Sequence, residues 1–406
     1  MSNSEKQYRK AISEKLSCSM DDIFFYWKGR VALYALLKSM GVSKGDEIIV
    51  QGYTCVVVSN AILYLGATPV YVDIDVSTFN MNMEALRAKV NAKTKVIICQ
   101  NTYGLSSNLE KIALIAEEAA QQYGNVVYTL EDCTHGFGGS YHGKPNGTSC
   151  DASFFSTQWS KPYTTGVGGF CVVHNDQLKD NLKRLDSDLI KPSFKETLQL
   201  RVMYFAREYI VNGWLYWPMV HLYRWLSQRN IVVGSSSGEE TNSIEMPEGF
   251  FKSQSDVQFR KGLKNLKKID ATNALRKKNA TIYTNYLSGI GKNHVTPNLF
   301  DDHIFIRYPL LVDNRAKFRE EAEKNNIALG EWFEQPIYPA YSSLELWKLD
   351  TKILPNAMYV CERMVNLPTD EKNVDKVIAF LERHKEFIVE DSELRKSLVA
   401  ENYLIS

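Results

Sequence analysis

The strongest constraint on what this chain can fold into is a regular alternation of short all-apolar runs with helical text between residues 30 and 174. Val31 to Met40 reads as a helix and Glu47 to Val50 as a buried strand; Cys55 to Leu65 is a helix closed by Gly66, and Pro69 to Asp73 the next strand. The rhythm continues with a helix from Met83 to Val90, a strand from Lys95 to Gln100, an Ala/Glu-rich helix from Asn108 to Gln122 and a strand from Val126 to Leu130. Val/Ile runs without polar alternation mean strands covered on both faces, so the expectation is an α/β fold with a mostly parallel sheet under helical layers. Ser153 to Ser156 and Gly169 to His174 extend the sheet, and the lack of a helix between them suits an antiparallel pair.

After Asp176 the text turns predominantly helical, and the polar stretch Ser227 to Pro247, containing GSSSGEETNS, reads as a linker. A boundary there divides the chain into a large domain over residues 1–245 and a smaller α+β domain over residues 246–406. Asp256 to Leu287 lacks proline and reads as one long helix or two joined. A strand (Ile304 to Val312), a helix (Arg315 to Asn325), an aromatic and proline-rich loop (Trp332 to Tyr341) and helices Asn356 to Val365 and Val374 to Ile388 are expected to follow.

Composition excludes several classes. Lys plus Arg number 48 against 47 Asp plus Glu, so no basic surface argues for nucleic acid as a partner. The seven cysteines are scattered, odd in number and without a C-x-x-C pair, which argues for reduced thiols and against a zinc site or any other metal centre. The opening MSNSEKQYRKAISEKL is polar, and the most apolar window, Met203 to Leu226, is interrupted by Arg207, Glu208, Pro218 and Arg224. No secretory signal or membrane span is read, and the expected location is the cytoplasm.

The stretch from Leu130 to Gly169 carries the chemistry. A buried strand ends in Glu131-Asp132, a second ends near Ser156, and Thr157-Gln158-Trp159-Ser160-Lys161 and Gly166-Val167-Gly168-Gly169 follow. Carboxyl ends of strands in an open α/β sheet converge on one crevice, so Asp132, Ser156 and Lys161 can meet there. A buried carboxylate and a nearby lysine are what pyridoxal phosphate requires: the amine forms a Schiff base with the aldehyde, and the carboxylate pairs with the protonated pyridine nitrogen. Taken singly, Asp132 also reads as a helix cap and Lys161 as a solvated surface lysine.

Together, the run LEDCTHGFGGSYHGKPNGTSCDASFFSTQWSKPYTTGVGGFCVV resembles the signature of the DegT/StrS-type sugar aminotransferases, a branch of the fold-type I pyridoxal-phosphate enzymes. KGRVALYALL resembles the family's phosphate turn, DEIIVQGYTCVVVSNAILYLGATPVYVDID its next strand-helix-strand, and Asn101-Thr102-Tyr103-Gly104 its N/H-x-Y-G turn. SDVQFRKGLKNLKKID resembles its long helix and NLPT, from Asn366 to Thr369, its late loop. The likeness spans roughly residues 20 to 385. It implies an aspartate-aminotransferase-like fold, with a seven-stranded sheet in the large domain.

Position by position, the resemblance makes Lys161 the Schiff-base lysine and proton shuttle, and Asp132 the partner of the pyridine nitrogen. His135 falls where the family places Gln or His near the cofactor ring. Gly29, Arg30 and Val31 fall at the phosphate turn, where a helix N-terminus and an Arg suit an anion. Ser156 matches the phosphate-binding hydroxyl, Gln158 a position often held by His, and the turn 166–169 a close approach of backbone to cofactor. Three departures stand out: Cys55 replaces the aromatic that stacks on the cofactor ring, leaving Tyr53 as a candidate substitute; Val167 replaces the glutamate of a Gly-Glu-Gly-Gly turn; and Phe251-Lys252-Ser253 replaces an Asn-Tyr-Arg that reaches the partner subunit's phosphate, with Lys252 as a possible replacement contact.

Retention of Lys161, which the family's dehydratases replace by His, favours transamination. The implied reaction moves an amino group from an amino acid, L-glutamate by default, to a keto group on a nucleotide-activated deoxysugar, for lipopolysaccharide or another surface glycoconjugate. The implied assembly is a homodimer with shared active sites. Residues 201–226, rich in aromatics, read as a dimer interface or a core helix pair in preference to a membrane-surface helix. Arg307 and Trp332 are candidates to reach the site from the small domain. Another pyridoxal reaction, an acceptor that is not a nucleotide sugar, and a catalytically silent relative are the alternatives; Lys161 and Asp132 together argue against the last.

Overall fold

The computed structural model describes residues 1–210 and 238–392. Its first element was not expected from sequence: α1 (Asn3–Leu16) starts where the Ser2 hydroxyl accepts the Glu5 N–H and buries Tyr8, Ile12 and Leu16, a stripe at four-residue spacing. A strand equally unforeseen, β1 (Ile23–Tyr26), is wholly buried. The expected alternation follows as α2 (Gly29–Ser39), β2 (Glu47–Gln51), α3 (Val56–Leu63), β3 (Thr68–Val72), α4 (Met83–Lys89), β4 (Thr94–Gln100), α5 (Leu109–Tyr123) and β5 (Tyr128–Asp132). The helix ends carry their own signals: Asn108 accepts the Lys111 N–H at 3.1 Å to start α5, and Gly124 stops it at φ +67°, a left-handed conformation that glycine adopts freely.

Strands β6 (Ala152–Ser156) and β7 (Gly169–Val173) complete a seven-stranded sheet in the order β1-β7-β6-β5-β4-β2-β3. Pairings from β6 through β3 are parallel, and the two at the β1 edge, β7 with β6 and β1 with β7, are antiparallel. Alternate residues face opposite layers. Ile98, Leu130 and Phe154 join the core beneath α2 and α3, Ile97 and Cys99 the core beneath α4 and α5, and Phe25, Phe155 and Phe170 the core shared with α1.

Helices α6 (Asp176–Leu185) and α7 (Phe194–Phe205) follow, and the long helix expected from Asp256 divides into α8 (Asp256–Leu266) and α9 (Ile269–Gly289). Gly262 lets α8 sit against α1, since a Cβ there would lie 2.6 Å from Tyr8 Cζ. A second core gathers Tyr283, Phe305, Tyr308, Phe318 and Phe380 around an antiparallel pair, β8 (Tyr308–Leu311) and β9 (Met364–Leu367), with α10 (Arg315–Lys324) and α12 (Val374–Arg383). The strand expected from Ile304 is shorter because Phe305, at φ +50°, breaks extended geometry. The helix expected to reach Val365 stops as α11 (Pro355–Arg363), because the next four residues are buried and pair with β8. The terminal helix ends at Arg383, short of Ile388.

The segment between α10 and β9 does not stay with the second core. Phe333, Ile337, Trp347 and Leu354 join the main one, and Ile337–Tyr338 pairs in parallel with Thr54–Cys55. Trp347 is fully buried, with its indole N–H on Asn60 Oδ1 at 2.6 Å and its carbonyl accepting from Tyr71 at 2.9 Å. This docking folds the aromatic loop over the carboxyl edge of the sheet.

On the opposite account, α7 leaves an apolar stripe uncovered: Phe194 is 80% exposed, and Leu198, Val202, Phe205 and Tyr209 continue it at helical spacing. Of the aromatic segment 201–226, residues 211–226 lie outside the described residues. Among the described residues no helix is long and apolar enough to cross a membrane.

If the aromatic loop is held by the main core, Trp347→Ala should cost about 3–5 kcal/mol of unfolding free energy, read from urea denaturation. A loss below about 1 kcal/mol would mean that the segment is only loosely attached.

Candidate active site

Parallel strands β2, β4, β5 and β6 end on one side of the sheet, and there the chain encloses a cavity of about 750 Å³. Gln100, Asp132 and Ser156, the last residues of β4, β5 and β6, all line it. So do Gly29 and Arg30 from the start of α2, Cys55 from the start of α3, and His135, Gln158 and Lys161 from the loops. Eight of the nine sequence-derived candidates therefore meet in one place. The ninth, Val31, points into the core at 1% exposure, and its N–H is taken by the Lys28 carbonyl.

The pleat of β5 separates its two acids. Glu131 faces away from the cavity and is satisfied by Asn101 Nδ2 at 2.9 Å and the Gly147 N–H at 2.7 Å. Asp132, 3% exposed, faces in and accepts the Thr134 N–H at 2.9 Å. Burial pushes the Asp132 carboxyl above its ordinary value, against the pull of Thr134 and of the charge on Lys161. Burial likewise lowers the proton affinity of Lys161, opposed by Cys55 and Asp132 and reinforced by Arg30. A lysine so placed has more of its amine neutral, which is the form that attacks a carbonyl.

His135 is buried and held neutral, first by burial and then by the charges of Lys161 and Arg307; among the described residues its Nδ1 has no hydrogen-bond partner. Its ring stacks on Trp332 with centroids 4.5 Å apart, and Lys161 Nζ lies 4.8 Å from the Trp332 centroid. Trp332 is fixed through its backbone: its carbonyl accepts from Tyr103 Oη at 2.5 Å and Asn366 Nδ2 at 2.7 Å, and its N–H reaches Asn366 Oδ1 at 2.9 Å. The late NLPT loop thus acts on the cavity through Trp332. Tyr53 does not line the cavity; it is fully buried, bonded to Tyr103 and donated to by the Phe333 N–H.

At the other end, backbone comes very close. A Cβ on Gly169 would lie 2.3 Å from Gly29 N and Cα, and one on Gly29 would lie 2.9 Å from Ser156 Cβ. Glycines hold β7 against the N-terminus of α2, while Gly168 lines the cavity and Val167 is buried beneath it. Lys28, the N-cap of α2, adds a second basic side chain to Arg30 here. None of Phe251, Lys252 and Ser253 lines the cavity; Lys252 Nζ pairs with Glu196 at 2.5 Å. Arg307 stands behind Trp332, 5.8 Å from its ring, and outside the lining.

Of the two candidates from the small domain, Trp332 lines the cavity and Arg307 does not; Lys28 and Tyr338 are cavity residues that the sequence reading does not assign to the site. Their signal lay in the aromatic and proline-rich text of 332–341 and in the basic residue ahead of Gly29.

Burial of the Asp132 carboxyl outweighs the pull of Thr134 and Lys161 and costs stability, so Asp132→Asn should stabilise the cofactor-free protein at neutral pH. The folded-state value is raised, so the wild type's penalty is absent below the ordinary carboxyl value of 3.8 and develops as pH rises through the raised one. Urea unfolding should show the mutant's advantage larger at pH 7 than at pH 4; an advantage equal at both would contradict a carboxyl whose folded-state value is raised by burial.

Comparison with known proteins agrees with this geometry. Residues 27–204 and 233–382 match the DegT/DnrJ/EryC1/StrS aminotransferase family. A GDP-perosamine synthase of Caulobacter vibrioides is 26% identical over 385 residues, covering 93% of this chain and 89% of that protein. A UDP-2-acetamido-2-deoxy-3-oxo-D-glucuronate aminotransferase of Pseudomonas aeruginosa is 35% identical over 161 residues, 39% of this chain and 42% of that protein. The fold is shared with AtS13 of Actinomadura melliaura (TM-score 0.72, 22% identity, 94% of this chain and 90% of that one). It is shared too with the sugar aminotransferase Spr1654 of Streptococcus pneumoniae in its PMP form (TM-score 0.71, 20% identity, 94% and 91%). Matched along most of its length and built on the same fold, the chain belongs to the DegT/DnrJ/EryC1/StrS aminotransferase family.

Proposed function

We propose that the chain transfers an amino group from an amino acid, L-glutamate, to a keto group on a nucleotide-activated deoxysugar, using pyridoxal 5'-phosphate held in the cavity. The observation that carries this reading is the convergence of Asp132 and Lys161 on one cavity at the carboxyl edge of the sheet. The residues present fit the cofactor in three respects. Asp132 is a buried carboxylate lacking the cation that a protonated ring nitrogen supplies. His135, which lines the same cavity, has a buried Nδ1 without a hydrogen-bond partner among the described residues. Gly29, Arg30 and Ser156 form a corner with backbone N–H groups, a guanidinium and a hydroxyl, which suits a phosphate.

Bound there, the cofactor supplies an aldehyde and an electron-withdrawing ring that carries the amino group from donor to acceptor. The chain's own residues do the rest. Asp132 keeps the ring nitrogen protonated, and His135 presents a neutral, stacked imidazole beside the ring. Lys161, with part of its amine neutral, would hold the cofactor at its aldehyde carbon and would move a proton at the substrate carbon. Trp332 and Tyr338, with Cys55 in place of an aromatic, give the cavity its flat surfaces, and a volume of about 750 Å³ leaves room for a sugar beside the cofactor.

A GDP-perosamine synthase and a UDP-2-acetamido-2-deoxy-3-oxo-D-glucuronate aminotransferase among the relatives support a nucleotide-sugar acceptor. A homodimer in the cytoplasm is the assembly we favour, since the exposed apolar stripe from Phe194 on α7 to Tyr209 in the turn after it is a surface that a second copy can cover.

The test is the visible absorption spectrum of the purified protein with pyridoxal phosphate, before and after L-glutamate, beside Lys161→Ala. A cofactor band that glutamate bleaches, changed in position in the mutant, is expected. No band in the wild type would remove the reading, and a band indifferent to glutamate would point to another donor or another pyridoxal chemistry.

A further inference from the structure

The basic corner at the start of α2 already holds an anion that belongs to the chain. Glu240, on the helical turn Gly238–Asn242, is buried at 2% exposure. Its Oε2 lies 2.5 Å from Arg30 Nη1 and 3.6 Å from Lys28 Nζ. The next two residues, Thr241 and Asn242, line the cavity with Gly29 and Ser156.

The turn is attached independently of that carboxylate. Asn60 Nδ2 donates to the Glu240 carbonyl at 2.7 Å, the Tyr341 N–H to the Thr241 carbonyl at 3.0 Å, and Ser342 Oγ to the Asn242 carbonyl at 3.1 Å. Asn60 also receives the indole N–H of Trp347, so the turn rests on the same core that docks the aromatic loop. Glu240 is therefore held over the corner by backbone bonds, and its side chain can change without releasing the turn.

We infer that Glu240 is an internal counter-ion competing with the cofactor's phosphate for Lys28 and Arg30, so that displacement of its carboxylate sets the affinity for the phosphorylated cofactor. Among the described residues, the Glu240 carboxylate pairs with both the buried Arg30 and the partly buried Lys28, and buried charge is costly to leave uncompensated. Burial, with help from Arg30, still pushes the Lys28 ammonium down to about 8 against the pull of Glu240. A phosphate brings more negative charge and more acceptor oxygens than a carboxylate, so it can replace Glu240 at both cations, at the expense of repulsion while Glu240 stays ionised nearby. Lys252, at the position of the family's cross-subunit contact, is engaged with Glu196.

This inference rests on the pyridoxal-phosphate reading above, and the experiment separates the two. Apoenzyme of the wild type, Glu240→Gln and Glu240→Asp is titrated calorimetrically with pyridoxal phosphate, with pyridoxal and with inorganic phosphate. Glu240→Gln should bind pyridoxal phosphate and inorganic phosphate about tenfold more tightly than wild type, as expected for removal of one competing partly buried ion pair. Pyridoxal, which lacks the phosphate, should be unaffected; Glu240→Asp should fall between the two proteins, and Lys28→Met added to Glu240→Gln should reverse the gain. A wild type that takes up pyridoxal phosphate normally while Glu240→Gln binds it no better, or more weakly, overturns the inference alone. An equal gain for pyridoxal also overturns it, because the effect would then be access to the cavity. Failure of the wild type to bind pyridoxal phosphate at all removes the proposed function and the inference together.

Discussion

A carboxylate kept almost out of water at the end of a central strand is the constraint around which the site is organised. Asp132 can sit there only because β5 is paired on both sides in parallel register, with β4 along one edge and β6 along the other. That register brings Gln100, Asp132 and Ser156 to one level, and the loop after β6 carries Lys161 back towards the same opening. Desolvation acts on both titratable groups in the directions useful to carbonyl chemistry: it gives the acid a need for a cation and makes the amine easier to deprotonate.

The wall facing Asp132 is built by chain that lies some two hundred residues further on. Thr54 N–H bonds the Pro336 carbonyl at 2.8 Å, Tyr53 and Tyr103 engage the backbone at Trp332 and Phe333, and Asn366 clasps Trp332 from behind. Side chains at the lip of the cavity are thus fixed largely by buried polar groups outside its lining, Tyr53, Tyr103 and Asn366. Their bonds must be made whenever the loop is closed, since an unpaired buried hydroxyl or amide costs about 1–3 kcal/mol. Family motifs such as Asn101-Thr102-Tyr103-Gly104 and the NLPT loop serve here as structural fasteners for Trp332.

The sheet was legible because its strands are continuous apolar runs, a signal that depends on burial of both faces and needs no knowledge of partners. Asp132 and Lys161 were legible because strand ends converge in such a sheet. What local text could not show depends on distant pairing. Met364 and Val365 read as the end of a helix, and Asn366 and Leu367 as a loop, until β8 is beside them; IFFY at Ile23–Tyr26 is too short to identify before its antiparallel partner β7 is known. The role of Trp332 needed the contact with Asn366, and that of Glu240 needed the meeting of a polar linker with the first turn of α2. Tyr53, a reasonable stand-in for the missing aromatic at Cys55 by proximity in sequence, is carried into the core by its bond to Tyr103.

The most direct test of the central claim is to load the protein with pyridoxal phosphate, trap it by borohydride reduction and locate the pyridoxyl group by peptide mass spectrometry. Two lysines face the cavity, Lys28 and Lys161, and both have lowered proton affinity. A single modified peptide carrying the group on Lys161 is the result the geometry predicts. Modification chiefly at Lys28, or scattered over surface lysines with Lys161 untouched, would contradict it.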